Sequence, residues 1–266
     1  MFRGNYNFFD YKYNIAGYTG QDYGGIAQNI YLFGSIILMT VLLFFLRKVS
    51  KEKVLKIIRV IGIFMTLLYI CKTTWESIYD IKLSGSFNTG LLPFDTCSII
   101  MLTCLLAGFG KGKIKKMAEC WLTTGSIVGG IATMLYLNAF KYYPFFSFGA
   151  FYSMIWHFLM VFTGLLLIVT NYVELKYENV LLGFLFHFII SLIIIPIDFI
   201  FNFDFMLYLS LGGIPIFEDI ATKFTQMNLQ VINPIMMLIL YFIAFNIIYI
   251  FSIIIKKILL INVTYV

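Results

Sequence analysis

Charge is what this sequence has least of: only 12% of its 266 residues are Asp, Glu, Lys or Arg, while 61% are hydrophobic. A soluble domain carries about 25% charged and roughly 45–50% apolar residues, so composition excludes that class. Arginine is nearly missing, with Arg3, Arg47 and Arg59 alone, which fits an AT-rich bacterial genome. Histidine occurs twice, as His157 and His187. Two histidines at different depths, with no carboxylate at ligand spacing, leave a metal enzyme the least supported class. The four cysteines (Cys71, Cys97, Cys104, Cys120) form no C-x-x-C pair, which removes zinc ribbons and dithiol redox motifs. Residues 1–25 lack the uninterrupted apolar core of a secretory signal.

What is present is a series of seven apolar runs, each of about 17 or more residues and long enough to cross a bilayer of roughly 30 Å. They lie near Ile26–Leu46, Val54–Tyr79, Leu91–Phe109, Lys116–Leu137, Phe146–Thr170, Asn179–Ile200 and Val231–Ile255. The expected fold is an all-α membrane protein, one bundle of about seven transmembrane helices at 26–266. An aromatic-rich interfacial segment at 1–25 precedes it. Basic residues cluster at Arg47–Lys56, Lys111–Lys116 and Lys256–Lys257, while the intervening loops hold Lys82, Lys141 and Lys223 with Asp80, Asp204, Glu218 and Asp219. This alternation is the positive-inside pattern, and it predicts the N-terminus outside and the C-terminus in the cytoplasm. The net charge of +6 thereby reflects contact with lipid, not nucleic acid.

Against this apolar background the polar residues stand out. Leu92-Pro93-Phe94-Asp95-Thr96-Cys97 opens the third span, and an acid at lipid depth is costly enough to suggest a task. Cys97 is expected about 9 Å below the outer boundary at about 1.5 Å per residue. On a regular helix Asp95 and Cys97, two apart, do not face each other. Lys72 and Glu76 share a helix face and read equally as a snorkelling pair or as part of a site. Trp75 beside them is an interface anchor or a substrate contact. Asp198 and Asn202 end the sixth span, and His157 lies mid-span in the fifth, where a core histidine is the alternative to a site residue. His187 is the weaker candidate. Gly125 and Gly129 permit close helix packing, and a short interfacial helix is expected near Phe217–Met227 after Leu211-Gly-Gly-Ile-Pro215. Together the polar residues map to the outer third, which implies one polar cavity there.

The Leu-Pro-x-x-x-Cys start of the third span and a fifth-span histidine 60 residues after Cys97 resemble the YwaF family of bacterial integral membrane proteins. That family is related to eukaryotic transmembrane, cysteine-centred phospholipid acyltransferases. Where bacterial members read Leu-Pro-Leu-His-Leu-Cys, Asp95 stands in the histidine's place. The resemblance spans nearly the whole chain. It implies an acyl transfer between membrane lipids through a Cys97 thioester, with His157 as general base and acid. Glu76, Asp95, Asp198 and Asn202 are candidates to orient the imidazole or stabilise the oxyanion, as are backbone N–H groups at the start of span three. Lys72 and Trp75 are candidates to bind substrate. The expected partner is a phospholipid or lysophospholipid in a bacterial plasma membrane, with no cofactor, no metal and no nucleic acid. A transporter using the same polar residues is the main competing class, and a seven-span receptor a third.

Overall fold

The structure, a computed structural model, describes residues 6–11, 25–135, 139–211 and 215–261, and within them every regular element is helical. The helices are α1 (Ile26–Leu46), α2 (Lys51–Ser84), α3 (Thr96–Phe109), α4 (Gly112–Leu122), α5 (Gly125–Leu135), α6 (Ala139–Tyr142), α7 (Phe148–Val169), α8 (Tyr177–Phe201), α9 (Pro215–Gln226) and α10 (Ile232–Ile261). Seven segments among the described residues are long and apolar enough to cross a membrane. Six centre on single helices, and the fourth runs through α4 and α5. Short α9 occupies the position expected for an interfacial helix. The expected end of the fourth span near Leu137, residues 1–5 and 12–24 of the N-terminal segment, and residues 212–214 lie outside the described residues.

Local chemistry sets the helix ends. Ser50 caps α2, its hydroxyl accepting the Lys53 N–H, and Glu52 follows in the first turn. The other end of α2 stops at Gly85, whose left-handed φ of 73° lets its N–H reach the Ile81 carbonyl. α2 therefore extends a turn beyond the expected Tyr79. Asn202 closes α8 in the same left-handed conformation and donates to the Asp198 carbonyl. Residues 6–11 lie against this end of the bundle. Tyr11 donates to Asp80 at 2.8 Å, and the Phe8 carbonyl accepts the Phe148 N–H at 2.7 Å.

The fourth span departs from the single helix expected at Lys116–Leu137. It breaks at Thr123–Thr124, where both N–H groups turn back to carbonyls only three residues earlier. In hydrocarbon no water can satisfy the loosened backbone, so side chains must do it. The Thr123 hydroxyl donates to Cys120 O at 2.7 Å, and Ser126 to the carbonyls of Leu122 and Met160. Gly125 follows the break because the Trp121 ring fills its Cβ position, 2.4 Å away.

Lipid tails are as apolar as leucine, so helices associate here through close packing and hydrogen bonds rather than burial from water. α2 runs along α3, α5 along α7 and α4 along α8. Glycine lies at each contact: Gly62 faces Cys104, Gly130 faces Val161, and Gly183 faces the Cys120 carbonyl. Gly130 makes the tightest α5–α7 approach, and Gly129, expected to permit close packing, lies beside Met160 of α7 and Thr96 of α3. At the lysine-rich end Lys115 pairs with Glu119 at 2.8 Å, and Tyr172 donates to the same carboxylate at 3.0 Å. Burial and that carboxylate hold the Tyr172 phenol above its ordinary value, so it stays a donor.

Gly164 tests the packing argument. A Cβ there meets Ile127 at 2.4 Å and the Leu122 carbonyl at 2.5 Å, whereas one at Gly34 meets nothing within 4 Å. Gly164→Ala is expected to destabilise by about 1–3 kcal/mol and Gly34→Ala to be neutral or stabilising. Thermal unfolding in one detergent measures both.

Candidate functional site

The site begins at the irregular start of α3. After one turn of 3-10 helix at Thr89–Leu91, the Phe94 N–H bonds the Leu92 carbonyl at 2.9 Å, a tight turn centred on Pro93. Pro93 therefore precedes the helix instead of beginning it. Asp95 is the N-cap of α3: its carbonyl takes the Ser98 and Ile99 N–H groups, while its carboxylate makes no capping bond. The spacing rule of a regular helix therefore does not govern the Asp95–Cys97 pair. Asp95 stands outside the helix, and both residues line one cavity.

That cavity has a volume of about 390 Å³, within the range of small-molecule sites. Its walls are α3, α5, α10 and the segment after α8 that contains Met206 and Leu211. The lining is mostly apolar, with Gly129, Ala132 and Ala244 among its small residues, and its polar groups gather around Asp95, Thr96, Cys97 and Tyr241. The single polar cavity expected from the shared depth of the polar residues is instead an apolar chamber with a polar corner.

Tyr241 and its surroundings are the part that sequence reasoning missed. Its hydroxyl lies 2.6 Å from that of Thr96, the neighbour of Cys97, and 3.4 Å from the Met206 carbonyl. Its ring rests on His187, with centroids 4.2 Å apart. His187 is fully enclosed, and its partners fix its tautomer. Trp121 Nε1, a donor only, lies 3.4 Å from Nδ1, so Nε2 carries the proton and faces Tyr208 at 3.5 Å. Tyr208 in turn bonds Ser191, whose hydroxyl returns to the His187 carbonyl at 2.7 Å. Burial raises the Tyr208 phenol above its usual value, with the Ser191 bond opposing, so that phenol keeps its proton. Nothing in a single span foretells such a loop, because its members come from α4, α8 and the segment after it.

His157 stands on α7, buried, with Nδ1 2.7 Å from the Ser153 carbonyl. A carbonyl only accepts, so Nδ1 holds the proton and Nε2 keeps its lone pair. The adjacent Trp156 donates its indole N–H to the Cys97 carbonyl at 2.8 Å, which ties α7 to the start of α3 one residue away from His157. Among the described residues no hydrogen bond joins Cys97 to His157. His157 is not among the residues that line the cavity; Met160, three residues further along α7, lies beside Gly129 of the wall.

The remaining candidates distribute around this centre. Lys72 and Glu76 form an ion pair on α2, both partly buried, with the Lys72 ammonium 5.5 Å from the Tyr152 ring. Tyr152 stacks on Trp156 at 5.1 Å, and Tyr69 donates to the Leu91 carbonyl. This ionic and aromatic group lies on the α2–α7 side of Cys97, outside the cavity lining. Trp75 is engaged by the N-terminal segment: its N–H donates to Phe9 O at 2.9 Å. Asp198 is fully buried and accepts the Phe205 N–H at 3.0 Å, holding the turn that delivers Met206 to the cavity. Asn202 is exposed at the end of α8. No group of three or more His, Cys, Asp or Glu among the described residues is spaced to hold a metal ion.

A bundle of seven apolar spans around an internal cavity defines an integral membrane protein of the helical class. The chain matches the model of the TMEM164 family over residues 23–255 and belongs to that family. No curated protein and no solved structure matches it.

Accessibility of the four thiols tests the cavity. Cys71 is exposed and Cys97 partly so, whereas Cys104 and Cys120 are buried. Maleimide should modify Cys71 and Cys97 in the folded protein and spare the other two. Ala244→Trp, which fills the cavity, should slow labelling of Cys97 at least about tenfold without slowing Cys71, as read by peptide mass spectrometry.

Proposed function

We propose that this protein is a membrane acyltransferase or transacylase that moves a fatty acyl chain between lipids through a thioester on Cys97. One observation carries the reading: Cys97 lines a largely apolar chamber together with Asp95, Thr96 and Tyr241. An acyl chain suits the chamber and its ester group suits the corner. The resemblance to the YwaF family and its acyltransferase relatives points the same way.

In the forward step the sulfur attacks the ester carbonyl of a phospholipid. The C–S bond forms, the C–O bond breaks, and the lysophospholipid alcohol leaves with the proton that Cys97 gives up. His157 carries that proton through Nε2, the nitrogen that the Ser153 bond leaves with a lone pair. An acceptor hydroxyl then attacks the thioester and restores the thiol. The thiol–imidazole contact forms with substrate in place, as catalytic hydrogen bonds commonly tighten in the reacting complex. Asp95 and the Lys72–Glu76 pair supply the field around the thiol. The lysine-rich end faces the cytoplasm of a bacterial plasma membrane in this reading, and the cavity corner lies toward the opposite leaflet.

Intact-mass spectrometry of protein incubated with mixed phospholipids tests the chemistry. The expected result is a hydroxylamine-sensitive acyl adduct on the wild type, absent from Cys97→Ala and formed at least about 10²-fold more slowly by His157→Ala. No adduct on the wild type, with equal lysophospholipid turnover in all three proteins, would overturn the reading.

A further inference from the structure

The carbonyl oxygen of an ester held in the cavity needs a hydrogen-bond donor when the sulfur attacks, because negative charge develops there against a largely apolar lining. Asn202, at the end of α8, does not line the cavity, and a carboxylate such as Asp95 is an acceptor when ionised. Tyr241 is placed differently. It lines the same cavity as Cys97, is only 7% exposed, and bonds Thr96, the chain neighbour of Cys97, at 2.6 Å.

Its hydrogen bonds leave one proton available. The Thr96 hydroxyl, 2.6 Å away, can donate to the phenol oxygen, and the phenol's own proton is directed at the Met206 carbonyl at 3.4 Å. The first bond is short and the second long. A phenol that accepts a strong bond becomes a better donor, and the long bond is readily exchanged for one to an oxyanion. The ring cannot swing away, because His187 backs it at 4.2 Å and is itself held by Trp121 and Tyr208. Such a donor is largely preorganised: its ring is in place before the charge appears, and only its O–H turns from the Met206 carbonyl.

Resting on the acyl-transfer reading, the geometry points to Tyr241 as the residue that donates a hydrogen bond to the substrate carbonyl oxygen, with Thr96 as the positioning residue that supports it. As the C–S bond forms, the carbonyl π electrons move onto oxygen and are held by the Tyr241 O–H. When they return, the ester C–O bond breaks and the lysolipid alcohol leaves with the proton from Cys97. Tyr241 keeps its own proton throughout.

The test compares two reactions of Cys97 in full-length protein. Thioester formation from phospholipid passes through an oxyanion; alkylation by iodoacetamide does not. Tyr241→Phe should slow thioester formation by about 10²-fold or more while the rate of Cys97 alkylation stays within about twofold of wild type. Thr96→Val keeps the phenol and should give a smaller loss of the same kind, which provides a second reading should Tyr241→Phe fold poorly. Wild-type thioester formation rates in both variants would overturn the assignment alone. An equal fall in acylation and alkylation would reduce Tyr241 to a wall of the cavity and overturn it too. No thioester on the wild type would overturn the acyl-transfer reading itself, and this assignment with it.

Discussion

Hydrocarbon supplies no hydrogen-bond partner, so each backbone group that leaves a regular helix must be met by the protein itself. The irregular parts of this bundle follow from that constraint. The break in the fourth span exists where Thr123, Thr124 and Ser126 can bond the loosened carbonyls, and the turn before α3 exists where Asp95 and Tyr69 supply the partners. The segment after α8 is held likewise by carboxylates: Asp198 takes the Phe205 N–H, and Asp204 takes those of Leu209 and Ser210. These three irregular pieces are what make the cavity. A bundle of unbroken helices would have closed over it.

The polar groups of the core sort into two kinds. Around His187 the donors and acceptors form a closed loop with no valence to spare, which suits a structural post. Around Cys97 the arrangement is open. His157 has one nitrogen committed, Tyr241 holds one long bond, and Cys97 lines the chamber. The same residue type thus serves both purposes, and only the completeness of its hydrogen bonding tells them apart.

Much of the architecture was legible in the sequence, because an apolar run longer than a bilayer is thick seldom belongs to anything but a transmembrane helix. The seven spans, the short helix after the sixth and the singular start of the third were read from pattern alone. The break between Leu122 and Gly125 was not, since two threonines and a glycine inside an apolar run look like ordinary packing residues. Nor was the departure of Asp95 from the helix, which depends on a turn centred on Pro93. Tyr241 was invisible for a deeper reason: one tyrosine among eighteen carries no local signal. Its importance arises from Thr96, 145 residues away, and from a histidine that sequence ranked second. Depth along the membrane normal can be counted from a sequence. The direction in which a side chain turns at that depth cannot.

The small residues of the chamber, Gly129, Ala132 and Ala244, have a consequence for how such a protein diversifies. They set the free length and girth of the space, yet none of them carries a group that could take part in chemistry. Exchanging Ala132 or Ala244 for a larger residue narrows the space while keeping Cys97, Thr96 and Tyr241, whereas a Cβ at Gly129 meets Met160 at 3.1 Å and Thr96 at 3.4 Å. The size of the space and the polar groups of its corner are therefore set largely at separate positions, so descendants of one ancestor can change the first while keeping the second.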